Sequence, residues 1–181
     1  MNKEIFKNFP VLETERVILR KMLESDIDVV YDFNSCNESL DYIVREPFKS
    51  KEDAKEKLSY FQTSIKEKSA FWWVFTLKET GEDIGYGGLF DISKEHNRAE
   101  IGYGLIKKYW NKGYMSEILT GMLRFAISTA EFHKIYGIVI PGNDASIRLL
   151  EKNNFKKEAH LEKHSFARGR YFDETIYSLI L

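Results

Sequence analysis

The chain has 181 residues, of which 43% are hydrophobic and 14% are aromatic. This apolar content supports one folded domain over residues 1–181 and excludes an intrinsically disordered chain. Lys and Arg number 27 against 28 for Asp and Glu, a net charge of −1 that gives no electrostatic reason to expect nucleic acid or an anionic membrane as a partner. The charged start is unlike a signal peptide, and no apolar run approaches the roughly 20 residues that span a bilayer. Cys36 is the single cysteine, so no internal disulfide can form, and we expect a cytoplasmic protein.

Hydrophobic periodicity predicts the elements of the N-terminal half. Residues 16–22 alternate in the manner of a strand, and a helix begins near Ser25. Ser50 has an acidic residue three positions later, which is the pattern of a helix N-cap. The aromatic and β-branched run 71–77 is typical of a buried strand, and a Thr-Gly turn joins it to a second strand over 83–91.

The C-terminal half alternates strands with amphipathic helices. The pattern predicts a strand at 98–106, a helix at 113–129, a strand at 134–140, a helix at 144–152, and strands at 155–162 and 171–181. In chain order this gives one strand, two helices, three antiparallel strands, a helix, a strand, a helix and two strands. Such an order is typical of an α/β domain with a mixed sheet.

The segment between strand 98–106 and the following helix has features of a phosphate-binding loop. A helix start exposes unpaired N–H groups and the positive end of the helix dipole, and several amides can hold one phosphate there. Gly113 lets the backbone approach closely, and Lys107, Lys108 and Lys112 add positive charge. An ordinary solvated loop with a glycine turn is the alternative.

Five motifs together resemble a known family. They are LETERVILRKMLESD near the N-terminus, GYGGL at 85–89, AEIGYGL at 99–105, YWNKGYMSE at 109–117 and PGNDASIRLLEKNNF at 141–155. In this order and spacing they resemble the GNAT superfamily of acetyl-CoA-dependent N-acetyltransferases, and more narrowly its RimJ/RimL-like branch, which acetylates ribosomal-protein N-termini. The resemblance implies an α/β single-domain fold whose mixed, mostly antiparallel twisted sheet is splayed between its central strands and flanked by helices.

The resemblance also implies a site for acetyl-CoA as co-substrate, without a metal. The family's loop pattern Q/R-x-x-G-x-G/A places Trp110 at the first position, Gly113 at the central glycine and Met115 at the final small residue. Met115 departs from the pattern because its side chain is longer. The implied cofactor contacts are Leu105, Ile106, Lys107, Asn111, Lys112, Gly113, Tyr114, Met115, Ser116 and Asn143.

Glu100 is the first candidate catalytic residue because it interrupts an otherwise apolar strand. The two-residue period of a strand puts Glu100, Gly102 and Gly104 on one face, so the glycines leave space beside the carboxylate. The functional interpretation is a general base that acts through water. A salt bridge with Arg98 or another basic group is the structural alternative.

Asn143 and Ser146 form an N-x-x-S pattern at a helix start, and helix capping alone explains such residues. The resemblance implies that Asn143 contacts the cofactor and that Ser146 lies near the CoA sulfur, where it would protonate the leaving thiolate. Many GNAT enzymes have a tyrosine further along this helix, at the position of Leu150, which cannot donate a proton. The catalytic prediction therefore comprises Glu100 and Ser146.

The predicted reaction is acetyl transfer to a primary amine, with a peptide or ribosomal-protein N-terminus as the leading acceptor. The alternatives are a small-molecule amine, such as a polyamine or an aminoglycoside, and a CoA-binding regulatory domain without catalysis. Around the expected acceptor wall, acidic and basic residues alternate, so there is no acidic cluster to hold a polycation. One of the two adjacent tryptophans, Trp72 and Trp73, could line this wall, as could Phe33 and Tyr42, although ordinary packing also explains them. We expect a monomer or a homodimer.

Overall fold

The computed structural model describes residues 3–181, which form one open sheet of eight strands with four α-helices against its faces. The elements are β1 (Leu12–Glu13), β2 (Val17–Lys21), α1 (Ile27–Ser35), α2 (Lys51–Lys66), β3 (Phe71–Leu77), β4 (Asp83–Ser93), β5 (Arg98–Leu105), α3 (Tyr114–Ser128), β6 (Lys134–Val139), α4 (Asp144–Lys152), β7 (Lys156–Ala167) and β8 (Arg170–Ile180). The sheet order is β1-β2-β3-β4-β5-β6-β8-β7, and every neighbouring pair is antiparallel except β5 and β6. The predicted α/β class and the predicted element order are confirmed.

Local sequence explains several element boundaries. Helix α2 begins with a capping box in which the Ser50 side chain accepts from the N3 backbone and Asp53 accepts from the Ser50 N–H at 3.0 Å. Strand β7 runs five residues beyond the predicted 155–162, because two bulges let it stay paired with β8 while its register shifts. The two-residue β1 was not predicted, since so short a strand has no periodicity to detect.

The central strands β5 and β6 separate soon after they meet. They pair in parallel only at Arg98, Ala99 and Glu100, opposite Lys134, Ile135 and Tyr136. Beyond Glu100, β5 continues to Leu105 beside β4, and a gap opens on its other edge. The splayed sheet predicted from the family resemblance is confirmed.

The two faces of the sheet bury two cores. One core packs α3 and α4 against the sheet and contains Trp73, which is fully buried. The other core packs α1 and α2 on the opposite face and contains Trp72. Adjacent strand residues point to opposite faces, so the two tryptophans belong to different cores. None of the helices within residues 3–181 has the length and apolar content to cross a membrane.

Candidate active site

Two cavities meet at the gap between β5 and β6. One, the carboxylate cavity, has a volume of about 380 Å³, lies toward α1 and α2, and is lined by Glu100 and Glu174 among others. The other, the loop cavity, has a volume of about 350 Å³ and is lined by the start of α3. Both are lined by Tyr103, Asn143 and Ser146, so the two cavities form one cleft that passes through the sheet at the gap.

The loop before α3 has a backbone suited to binding an anion. Gly113, which precedes the helix, has a left-handed φ of +80°, and Asn111 is also left-handed at +59°. No side chain of the described residues caps α3, so its first amides remain available. A Cβ placed on Gly113 would have Arg16 Nη2, at 3.5 Å, as its nearest neighbour, so the glycine is open to an approaching ligand.

Two side chains fix this loop, one from within it and one from a distant part of the chain. Trp110 Nε1 donates to the Leu105 carbonyl at 2.7 Å, which ties the loop to the end of β5. Arg16 Nη1 donates to the Lys112 carbonyl at 3.1 Å, and Arg16 Nε pairs with Glu117 at 2.8 Å. The Arg16 contacts were not predicted, because no local pattern connects residues about a hundred positions apart.

The predicted cofactor contacts divide into residues that line the loop cavity and residues that do not. Leu105, Asn111, Gly113, Tyr114, Met115, Ser116 and Asn143 line it, whereas Ile106, Lys107 and Lys112 do not. Ile106 donates its N–H to the Ile84 carbonyl at 2.9 Å, so this amide is unavailable to a cofactor. The Lys107 ammonium pairs with Glu38 at 2.7 Å. The Met115 side chain packs against the core, so its length does not cover the loop backbone.

The edge of β5 that faces the gap offers free amides. In an antiparallel pair, every second amide of a strand points toward the partner strand and the amides between them point away. The Ile106 N–H, just beyond β5, bonds to the Ile84 carbonyl, so the amides two and four residues before it also point toward β4. The amides of Tyr103 and Leu105 therefore point to the opposite edge, where β6 has already separated. These two amides are therefore placed to bind a ligand in the gap, whereas the Ile106 amide is not.

Glu100 lies at the point where β5 and β6 separate, half-buried in the carboxylate cavity. Burial, reinforced by the negative charges of Asp91 and Glu174, raises the pKa of Glu100 from 4.5 to about 7. Among the residues that the structure describes, no basic group pairs with Glu100, and the Arg98 guanidinium instead lies 5.9 Å from the centre of the Tyr136 ring. The salt-bridge alternative for Glu100 is therefore not observed, and its pKa suits a base near neutral pH.

Ser146 is in the first turn of α4, and its Oγ lies 3.2 Å from the Tyr103 hydroxyl. Burial raises the pKa of Tyr103 to about 12, so this hydroxyl stays protonated at working pH. Asn143 Oδ1 accepts from the Ser146 N–H at 3.2 Å, which confirms the capping interpretation. Sequence reasoning missed the Tyr103 hydroxyl, because an aromatic residue between two glycines of a strand indicates packing as readily as chemistry.

Comparisons with known proteins agree with this geometry. A family profile described as an acetyltransferase (GNAT) domain matches residues 16–156. The uncharacterized N-acetyltransferase YoaA of Bacillus subtilis strain 168 is 33% identical over 172 residues, which are 95% of this chain and 97% of that protein.

Two solved structures share the fold. The RimL ribosomal L7/L12 α-N-protein acetyltransferase in complex with coenzyme A has a TM-score of 0.85 at 18% identity, over 95% of this chain and 98% of that one. The spermidine N-acetyltransferase of Vibrio cholerae in complex with CoA and spermine has a TM-score of 0.81 at 22% identity, over 91% and 95%. The names of these two proteins refer to different amine acceptors.

Proposed function

We propose a specific reaction for this chain, which belongs to the GNAT acetyltransferase family: it moves the acetyl group of acetyl-CoA directly to the α-amine of a peptide or protein N-terminus. The observation that carries the proposal is the single cleft through the splayed strands, with an open helix start at one end and a carboxylate of raised pKa at the other. The RimL fold neighbour agrees with a peptide acceptor. The reaction would take place in the cytoplasm.

The residues of the loop cavity fit acetyl-CoA as a substrate. Amides at the start of α3, from Asn111 to Ser116, would hold the pyrophosphate, and the helix dipole would favour its charge. The free amides of Tyr103 and Leu105 would bind the pantetheine and polarise the thioester carbonyl. Alignment of the two substrates in one cleft can supply roughly 7–11 kcal/mol of the barrier.

The transfer itself then needs one base and one acid. The amine nitrogen forms a bond to the thioester carbon, the C–S bond breaks, and Glu100 receives the amine proton through water. The Ser146–Tyr103 pair gives a proton to the departing sulfur, so that CoA leaves as a neutral thiol. The pair takes the place of the tyrosine that Leu150 replaces, since the Leu150 side chain is buried in the core.

An α-amine suits a base of this strength. Its reference pKa is about 7.7–8.0, against about 10.4 for lysine, so roughly one α-amine in ten is neutral at pH 7, compared with fewer than about one lysine in a thousand. A carboxylate with a pKa of about 7 can therefore accept the proton of an amine that is already partly neutral.

The proposed function is tested by a kinetic comparison of acceptors. We expect a higher kcat/KM for Ala- or Ser-starting peptides than for N-blocked lysine peptides, spermidine or an aminoglycoside, measured by free thiol release. A higher value for spermidine or the aminoglycoside would overturn the peptide assignment. Tight CoA binding by calorimetry without turnover on any of these amines would instead indicate a regulatory domain.

The acid is tested by a double-mutant cycle. We expect Ser146→Ala to lower kcat about 10–100-fold, less than the roughly 10²–10⁴-fold typical of a general acid, since water can partly substitute. Tyr103→Phe should also lower kcat, and the two effects should not add, because groups in contact act as a unit. A lower melting temperature with unchanged kcat would assign the Ser146 hydroxyl a structural role.

A further inference from the structure

The carboxylate cavity has a second charged end that the proposed reaction does not use. Lys57 on α2 and Arg45 in the segment before it both line the cavity that holds Glu100 and Glu174. Two cations and two carboxylates therefore share one cavity of about 380 Å³.

Neither of the two cations has a carboxylate partner within the part of the chain that the structure describes. Among the described residues, the Lys57 ammonium contacts only aromatic rings, 4.7 Å from the centre of Tyr60 and 5.1 Å from that of Phe61. Burial, together with the charge of Arg45, lowers the pKa of Lys57 to about 8. Partly buried charges of one sign are costly unless an opposite charge joins them.

Arg45 is held in place but keeps most of its donors. One of its Nη groups donates to the Asn34 side-chain oxygen, and Asn34 is itself fully buried and donates to the Tyr86 hydroxyl at 2.7 Å. A guanidinium has five N–H donors in a planar fork that matches a carboxylate. The contacts with Asn34 and the Tyr86 hydroxyl orient this fork and leave other donors for a ligand.

A series of aromatic rings lines the cavity between the cationic end and the carboxylate end. The Phe61 and Trp72 rings are 4.2 Å apart, Trp72 stacks on Phe90 at 4.7 Å, and Phe90 is paired with Glu100 across the β4–β5 ladder. A molecule with an amine at one end and an anion at the other, joined by an apolar part, would satisfy both pairs of like charges. A polyamine would bring a second ammonium toward Lys57 and Arg45.

We propose that the acceptor carries a carboxylate on the same molecule as its reactive amine, and that Lys57 and Arg45 bind this carboxylate. This inference rests on the proposed function and deepens it from an amine to a dipolar acceptor. The carboxylate has two possible sources: the C-terminus of a very short peptide, or an acidic side chain near the N-terminus of a longer one.

Matched acceptor pairs separate these sources. One pair is Ala-Phe and its C-terminal amide; the other is Ala-Phe-Glu-Gly-amide and Ala-Phe-Gln-Gly-amide. We expect the wild-type protein to prefer the carboxylate member of at least one pair by about tenfold or more in kcat/KM, as for a desolvated charge pair. Lys57→Met and Arg45→Met should bring this ratio close to one, and Lys57→Arg should retain most of it.

Lys55→Met is the matched control, because Lys55 is on the same helix, is exposed, pairs with Glu52, and is not among the residues that line the cavity. The ratio should stay at its wild-type value in this variant. A wild-type ratio near one in both pairs, or a ratio that survives in the Lys57→Met/Arg45→Met double variant, would overturn the inference.

Calorimetry keeps this test independent of turnover. The acetylated product N-acetyl-Ala-Phe and its amide, and the acetylated Glu and Gln peptides, are titrated into the protein with CoA present. A carboxylate preference that requires Lys57 and Arg45, without acetylation of any of the peptides, would contradict the proposed function and support the site. Acetylation of all peptides with no carboxylate preference in either readout would support the function and contradict the site.

Discussion

Replacing Glu100 by glutamine is expected to lower kcat/KM about 10²–10⁴-fold, the range of a lost general base. Glutamine keeps the shape of the side chain and removes the proton acceptor, so the affinity for CoA should remain unchanged in calorimetry. Normal turnover in Glu100→Gln would assign the carboxylate a structural role.

The pH profile distinguishes loss of a base from loss of structure. Activity that depends on ionised Glu100 should rise as pH increases through about 7, the pKa to which burial and the charges of Asp91 and Glu174 raise this group. The titration of the acceptor amine contributes equally to both proteins, so the difference between the wild-type and Glu100→Gln profiles isolates the carboxylate. The variant should lack the step near pH 7.

The pH dependence of stability should run opposite to that of activity, and it serves as the control for unfolding. Because the folded-state pKa of Glu100 lies above its usual 4.5, the folded state binds the proton more tightly than the unfolded chain does. The stabilisation from this proton is present below about pH 4.5 and is lost as pH rises through about 7. Glu100→Gln should therefore melt at or above the wild-type temperature at pH 8, which excludes unfolding as the cause of lower activity.

Much of the fold follows from local pattern. Strands β3 to β5 and helix α3 are rich in apolar residues at the spacing of a strand or a helix. The capping box at Ser50 is enough to predict a helix start. The extension of β7 depends on bulges that only pairing with β8 determines. The gap between β5 and β6 was expected from family resemblance, since nothing in the strand sequences themselves indicates where parallel pairing stops.

The candidate site was predictable where a residue conflicts with its surroundings. Glu100 stands out as a charge in an apolar strand, and Gly113 as a glycine before a helix. Tyr103 and Arg16 carry no such signal: the first resembles a core aromatic, and the second meets Glu117 through a contact that spans about a hundred residues. The Ile106 amide was wrongly expected to bind the cofactor, because it bonds to Ile84 instead. Which backbone amides face the gap depends on the hydrogen-bond register, and the register cannot be predicted from the types of residue in the strand.

The second large effect is expected at Gly113, where a valine should weaken binding of CoA about 10–100-fold. Its φ of +80° is one that a β-branched residue rarely adopts, and the side chain would occupy the open space before the first amides of α3. Hydrogen bonds to a charged group contribute about 1.5–3 kcal/mol each, so loss of one accounts for the change. Calorimetry with CoA measures it directly.

Gly81→Val is the matched control for the backbone strain in Gly113→Val. Gly81 has a φ of +72° and lies in the turn between β3 and β4, where an added Cβ would meet nothing within 4 Å. Both variants should lose stability, since each forces an L-residue into the left-handed region, but Gly81→Val should bind CoA normally. S-Acetylpantetheine, which lacks the pyrophosphate, should be used equally well by Gly113→Val and the wild-type protein. Unchanged CoA affinity in folded Gly113→Val, or an equal loss with S-acetylpantetheine, would show that the start of α3 does not bind the pyrophosphate.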